Sequence, residues 1–383
     1  MSSRTRLRLL CVLSPSNQMY SGIGRAVFEL AARLSDRVQF EFAMSNYFTK
    51  NLDILKTFCL EHEIPLHIGI GRAEAGSLDT YNEGLPGLLS QRRWDALECV
   101  CWANAATNEG VLANLRDEVL CYTPHDQPIW TVPMSPEQAG HIETIHRRML
   151  QRADVVCCDS PRERTQLQRQ AIGLNNCRYF PLGCDFQQFR PGPLDRRDQL
   201  LFVGDLAEPR KRFDRVLAVL DRLLVLRPSA RLVVVGNRSN EVNHLIPAHL
   251  RHACELRGYV DESALHRAYA ESSGLILLSD FEAFGIPILE ALACATPVFL
   301  STLNETQSLF GKFRGAHFCP GDDAGATAEI IARTLALGRT AIAENRSDLS
   351  RLRSTFDWDV QADRKWDALA AAWFQRRSWA WTA

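Results

Sequence analysis

Short apolar segments separated by helical stretches constrain this chain more than any other feature. Residues 8–13, 38–44, 119–123, 155–159, 200–203, 232–236, 274–279 and 297–300 each form such a segment, and 23–34 has helical periodicity. Strands buried on both faces carry near-continuous apolar runs, and each parallel connection needs a crossover, normally a helix. The rhythm therefore predicts an α/β protein with parallel sheets wound by helices. With 383 residues the chain exceeds the usual single domain, so two lobes are expected. Residues 186–199, with Pro191, Gly192, Pro193 and several charges, break the rhythm and read as a linker. The expected division is 1–185, 186–355, and a segment 356–383 whose helix, 358–374, returns to the first lobe.

Charge removes some partners from consideration. Lys and Arg number 44 against 45 Asp and Glu, a net charge of -1, so no global field favours nucleic acid or an anionic membrane. The 12 cysteines are scattered, without Cys-x-x-Cys or zinc-type spacing, and read as reduced core thiols of a cytoplasmic protein. The apolar run 9–13 is too short for a signal-peptide core and reads as the first strand. No run approaches the roughly 18 residues of a membrane span. Trp373, Trp379 and Trp381 leave peripheral contact at the cytoplasmic membrane face open, although a helix crossing back to the first lobe needs aromatic packing in any case.

The chemistry concentrates after the segment 275–279. A turn holding Glu282 and Gly285 leads to Pro287, which suits a first helical turn. Amides around Phe284, Gly285 and Ile286 would then face outward at a strand's carboxyl edge, where an anion gains from free N–H groups and the helix dipole. Glu282 and Glu290 flank that position, and each carboxylate can accept paired hydrogen bonds from sugar or ribose hydroxyls. Gly22 and Gly24 precede a helix, but Gly22 comes some eight residues after the strand and Val27 stands where a dinucleotide fingerprint needs its third glycine. They read instead as a flexible loop that approaches a donor diphosphate or an acceptor. His125 follows an apolar strand at a polar turn beside Asp126. Asp357-Trp-Asp359 imitates a metal-binding pair, but it opens the last helix, where acids are expected as cap and first-turn residues. No metal site is expected.

The order of these motifs resembles that of the retaining glycosyltransferases of family 4. The resemblance runs through the Glu282-x7-Glu290 spacing, Arg257-Gly-Tyr-Val-Asp-Glu, Pro181-Leu-Gly-Cys-Asp, the segment 152–160, Tyr122-Thr-Pro-His-Asp126 and the loop 21–25. It implies the GT-B fold, two Rossmann-like lobes with parallel sheets facing a central cleft. It implies that Glu282 holds the donor sugar's hydroxyls, that Glu290 holds the ribose diol, and that Tyr259 and Val260 lie beside the nucleobase. His125 would contact the donor sugar near the reacting centre. Lys211 matches the family's phosphate-binding lysine, but the arginine usual directly after Gly204 is Asp205 here. Arg210 and Arg212 are the substitutes at hand.

The resulting expectation is a retaining hexosyltransferase of carbohydrate biosynthesis, acting without metal or cofactor on a nucleoside-diphosphate sugar. His125, Lys211 and Glu282 are its catalytic candidates. The acceptor, a saccharide, lipid-linked saccharide or small molecule, is not legible. A sugar-nucleotide epimerase or hydrolase of the same fold, and a catalytically silent nucleotide-sugar-binding protein motivated by Asp205, are the alternatives.

Overall fold

The computed structural model describes residues 6–13, 22–44, 52–68, 85–101, 105–125, 135–170, 175–206, 208–236 and 243–380. Two compact units result, 1–181 with 358–383, and 182–357. The first contains β1 (Leu7–Val12), α1 (Gly22–Arg33), β2 (Val38–Met44), α2 (Leu52–Glu61), β3 (Leu66–Ile68), α3 (Leu85–Gln91), β4 (Ala96–Val100), α4 (Ala105–Asn114), β5 (Val119–Thr123), α5 (Pro136–Arg152), β6 (Val155–Cys158), α6 (Pro161–Gln170) and β7 (Cys177–Tyr179). The second contains β8 (Arg197–Val203), α7 (Phe213–Leu226), β9 (Arg231–Val235), β10 (Cys254–Leu256), α8 (Glu262–Glu271), β11 (Ser272–Leu277), α9 (Ile286–Ala293), β12 (Val298–Ser301), α10 (Asn304–Phe310), β13 (Ala316–Cys319), α11 (Ala324–Ala336), α12 (Arg339–Arg346) and α13 (Leu349–Phe356). The last helix, α14 (Trp358–Ala380), belongs to the first unit.

Both sheets are parallel throughout. Their orders are β3-β2-β1-β4-β5-β6-β7 and β10-β9-β8-β11-β12-β13. Each is the doubly wound arrangement in which the strand order reverses once, between β1 and β4 and between β8 and β11. Connections leave the two strands at that point in opposite directions, so a crevice opens outside their carboxyl ends.

The segment 186–199 is not a linker. Phe189 is fully buried against Tyr269, and Arg346 donates to the Gly192 carbonyl, so the stretch is packed into the second unit. The boundary falls at 181/182 instead of 185/186. Cys184 donates its N–H to the Phe356 carbonyl at 2.8 Å, which brings the entry and exit of that unit side by side. Pro191, Gly192 and Pro193 suggested a linker, but Gly192 lies so close to Ala270 that a Cβ there would meet its carbonyl oxygen at 2.6 Å, a contact that local composition does not reveal. All twelve cysteines are free thiols, eleven of them buried.

The first sheet is covered on both faces. Alternate residues of β5 and β6 separate accordingly: Tyr122 and Cys158 pack in one core, Cys121 and Cys157 in the other. The second core is completed by α14, whose Ala362, Leu369 and Trp373 recur at helical spacing within it. Trp373 therefore packs inward, donating its indole N–H to Asp95 at 3.0 Å. The side chain of Trp379 and all of Trp381 lie outside the described residues. Among the described residues no helix is long and apolar enough to cross a membrane. Ion pairs from Asp359 to Arg33 (2.8 Å), Asp363 to Arg37 (2.7 Å) and Arg376 to Asp154 (2.8 Å) border the stripe.

Lys365 sits in the middle of that apolar stripe, 4% exposed. Its ammonium donates to Glu98 Oε1 at 2.6 Å and lies 3.2 and 3.3 Å from the sulfurs of Cys121 and Cys157. Glu98 also accepts from the Thr123 hydroxyl at 3.1 Å. Burial alone would lower the ammonium's pKa. The charge that Cys121, Cys157 and Glu98 place around it outweighs burial and raises it well above the ordinary value. Removing one partner of such a pair leaves the other buried and uncompensated. Lys365→Ala is thus expected to destabilise the first unit by about 3–5 kcal/mol, read by urea titration with hydrogen exchange on the β4 and β5 amides. Replacing both partners, Lys365→Met with Glu98→Leu, is expected to restore most of the loss.

Candidate functional site

Residues from the loops after β8 and β11 converge beside the switch point of the second sheet. After β8 the chain forms a 3-10 turn, Pro209–Lys211, then passes through Arg212 in the left-handed region (φ 46°) to start α7. The two loops are joined by backbone. Asp280 donates its N–H to the Arg210 carbonyl at 2.8 Å, and the Arg210 guanidinium donates to the Phe281 carbonyl at 3.0 Å. Between them Lys211 Nζ donates to Glu282 Oε1 at 2.7 Å, and Ser279 donates its hydroxyl to the same oxygen at 2.7 Å. Arg210 approaches Glu282 Oε2 at 3.7 Å. Lys211 and Glu282 are 8% and 6% exposed. Burial would raise the Glu282 carboxyl, but the Lys211 and Arg210 charges and the hydrogen bonds from Lys211 and Ser279 outweigh it and hold the group below its ordinary value.

The turn then enters α9 through Gly285, whose φ of 90° disfavours any side chain and where a Cβ would meet Ile288 Cδ1 at 2.6 Å. The amides of Gly285 and Ile286 precede the first intrahelical bond, and Pro287 has no N–H to offer, so the helix start presents donors and its dipole to an anion. Phe284 contributes only backbone here, because its ring packs against Phe310 and Phe356. Glu290, 2% exposed on α9, accepts from the Tyr269 hydroxyl at 2.8 Å. At the same carboxyl edge, after β9, Gly236 approaches Gly204 so closely that a Cβ would lie 2.0 Å from the Gly204 carbonyl oxygen. Gly236 also donates to Gly258 at 2.9 Å, so the loops after β8, β9 and β10 lie against one another. Just beyond, Tyr259 is 54% exposed and Val260 half-buried.

The structure joins Lys211, Arg210 and Glu282, but not Arg212. That guanidinium turns to Asp214 at 2.8 Å and Asp280 at 3.1 Å, because its left-handed backbone starts α7 and directs the side chain to the acids there. Ser279 and Tyr269, the partners of the two glutamates, escaped the sequence reading. Neither belongs to a spacing pattern that points to chemistry.

In the first unit His125 follows β5 in the left-handed region (φ 54°), 6% exposed, with Nδ1 2.8 Å from Asp159 Oδ2. Burial would lower its pKa, but the Asp159 charge and hydrogen bond raise it above the ordinary value. Gly22 and Gly24 are the first turn of α1 rather than a loop, Gly24 being buried, and Ser21 lies outside the described residues, as does Asp126. The flexibility expected of the glycines is overridden by packing of that turn. Asp357 pairs with Arg353 at 3.1 Å and Asp359 with Arg33. Among the described residues no group of three or more His, Cys, Asp and Glu is arranged to hold a metal ion.

Residues 185–350, nearly all of the second unit, match the family described as Glycosyl transferases group 1. Glycogen synthase of Mycobacterium tuberculosis is 29% identical over 177 residues, 45% of this chain and 41% of that one. The chain thus spans about two fifths of that relative's length. Phosphatidyl-myo-inositol mannosyltransferase of the same organism is 26% identical over 280 residues, 68% of this chain and 70% of that one. Among solved structures, Anabaena HepE in complex with UDP and glucose superposes with a TM-score of 0.74 at 14% identity, covering 96% of this chain and all of that one. Sucrose-phosphate synthase from Thermosynechococcus elongatus gives 0.74 at 18%, covering 98% and 100%. The fold is therefore that of the GT-B glycosyltransferases.

A depressed carboxyl contributes stability that is complete above its unfolded-state value, 4.5, and is lost as pH falls through the folded-state value. Glu282→Gln should lower the second unit's stability near neutrality, with the gap to the wild type closing on acidification. Melting temperatures from about pH 6 to pH 3 check this. A gap independent of pH would contradict it.

Proposed function

We propose that this protein is a retaining glycosyltransferase that moves a sugar from a nucleoside diphosphate to an acceptor hydroxyl without a metal ion. The observation that carries this reading is the Lys211, Arg210 and Glu282 cluster, set beside the start of α9 at the switch point of a group 1 glycosyltransferase domain. HepE, a neighbour in fold, was crystallised with UDP and glucose, which supports a nucleotide-sugar donor.

In this reading Lys211, Arg210 and the helix start stabilise the charge that builds on the departing diphosphate, a preorganised electrostatic contribution. Glu282 orients the sugar through its hydroxyls, Glu290 takes the ribose diol, and Tyr259 and Val260 border the base. His125 contacts the donor sugar. The acceptor oxygen bonds to the anomeric carbon as the bond to the diphosphate oxygen breaks, and the acceptor's proton passes to that oxygen. Attack from the leaving-group side retains configuration. The acceptor is a saccharide, a lipid-linked saccharide or a small molecule, and the setting is cytoplasmic carbohydrate biosynthesis.

Incubation with UDP-, GDP- and ADP-sugars and a panel of acceptors tests the reading. Transfer that survives chelation, with an α linkage from an α-linked donor by proton NMR, is expected. A β-linked first product, sugar release without acceptor, or loss of turnover in EDTA would overturn it in turn on stereochemistry, reaction class and metal use. Lys211→Ala should lower turnover at least about 100-fold, or about 2.7 kcal/mol of transition-state stabilisation. Calorimetry should show Glu290→Ala weakening free-nucleotide binding by about 1.5–3 kcal/mol while Glu282→Ala spares it.

A further inference from the structure

The contact between His125 and Asp159 has no part in the mechanism above. It arises from strand register. Cys121 of β5 pairs with Val155 of β6, and Tyr122 with Val156, so continuing the same count places residue 159 opposite residue 125 just beyond both strand ends. Asp159 is 4% exposed and held from behind by α6: its N–H donates to Glu163 Oε2 at 2.6 Å, and the Glu163 N–H donates to the Ser160 hydroxyl at 3.0 Å. His125 meets this fixed carboxylate from a left-handed backbone (φ 54°), a strained conformation for a residue with a side chain that persists where the surroundings enforce it.

We propose that Asp159 is the positioning residue of His125, fixing the ring's orientation and its Nδ1–H tautomer so that Nε2 is the nitrogen left for the substrate. This rests on the reading of His125 as the group that contacts the donor sugar. A carboxylate only accepts, so the proton between the two groups belongs to Nδ1. Nε2 makes no hydrogen bond to a described residue. The charges around the ring act from three further elements. Glu98 on β4 and Asp159 after β6 favour the imidazolium, Lys365 on α14 and burial oppose it, and the balance is upward. The ring therefore keeps a second proton, on Nε2, to higher pH than a free histidine and can donate it to a sugar oxygen. Residues that hold a catalytic imidazole in this way act through it rather than on the substrate.

Histidine nitrogen NMR on the full chain tests the link directly, with the His125 signal assigned by its loss in His125→Gln. The wild type should show the neutral Nδ1–H tautomer at high pH and a midpoint above 6.5. Asp159→Asn should titrate below the wild type, and its turnover should fall at least about tenfold with little change in donor KM. Asp159→Glu should recover part of both. An Nε2–H neutral tautomer in the wild type overturns the proposal without any variant. So does an unshifted titration in Asp159→Asn, or a shifted one with unchanged turnover and pH profile. If the wild type transfers no sugar from any donor, the functional reading fails, while the NMR arm still decides whether Asp159 sets the state of His125.

Discussion

Glu98 is a carboxylate on an interior strand of the first sheet, and that position obliges the chain to supply a buried cation. The cation is Lys365, 267 residues further on. Between the two lies the whole second unit, so residues 1–181 alone hold an acid that nothing in the first unit's own sheet neutralises. The consequence reaches the topology of the chain. It must leave the first unit, build the second, and return through Asp357, whose bridge to Cys184 sets exit beside entry. The apolar stripe of α14 provides the area for docking. The lysine within it fixes which turn of the helix lies over β4, β5 and β6, since a shift of one turn would bury both charges unpaired.

The second unit has a pair of the same chemical kind, Lys211 with Glu282, placed differently. Glu98 and Lys365 meet between sheet and helix, where alternate strand residues point into a core. Lys211 and Glu282 meet in loops beyond the carboxyl ends of β8 and β11, where the backbone has left the sheet and helix α9 begins. Residue type and burial are nearly the same in the two pairs. Position along the strand separates a pair that fastens a helix from one that lies in loops beside a helix start. The chain has Asp205 directly after Gly204, and the basic groups that reach Glu282, Arg210 and Lys211, come from the following 3-10 turn, which hydrogen bonds tie to the loop after β11.

The strand and helix rhythm, the parallel sheets, the turn at Gly285 and the two glutamates eight residues apart were all legible in the sequence, because each depends on neighbours within one turn or one strand. Apolar runs reveal strands since both faces are buried. Glycine and proline reveal the start of α9 since their backbone preferences are local. The partners of those residues were not legible. Ser279, Tyr269 and Asp159 look like ordinary strand-end and helix residues, and Lys365 looks like a charge on a helix surface. Their roles come from strand order and register, which bring together side chains tens to hundreds of residues apart. The same cause misplaced the boundary at 186–199, where Pro and Gly act locally but the burial of Phe189 does not, and it turned Arg212, a candidate for the missing basic group, to Asp214 and Asp280. The sequence by itself determined the elements, because propensity and periodicity act over a few residues. Only the tertiary structure decided which charges face one another, because a buried charge is stabilised by whichever group the packed fold brings within hydrogen-bond reach.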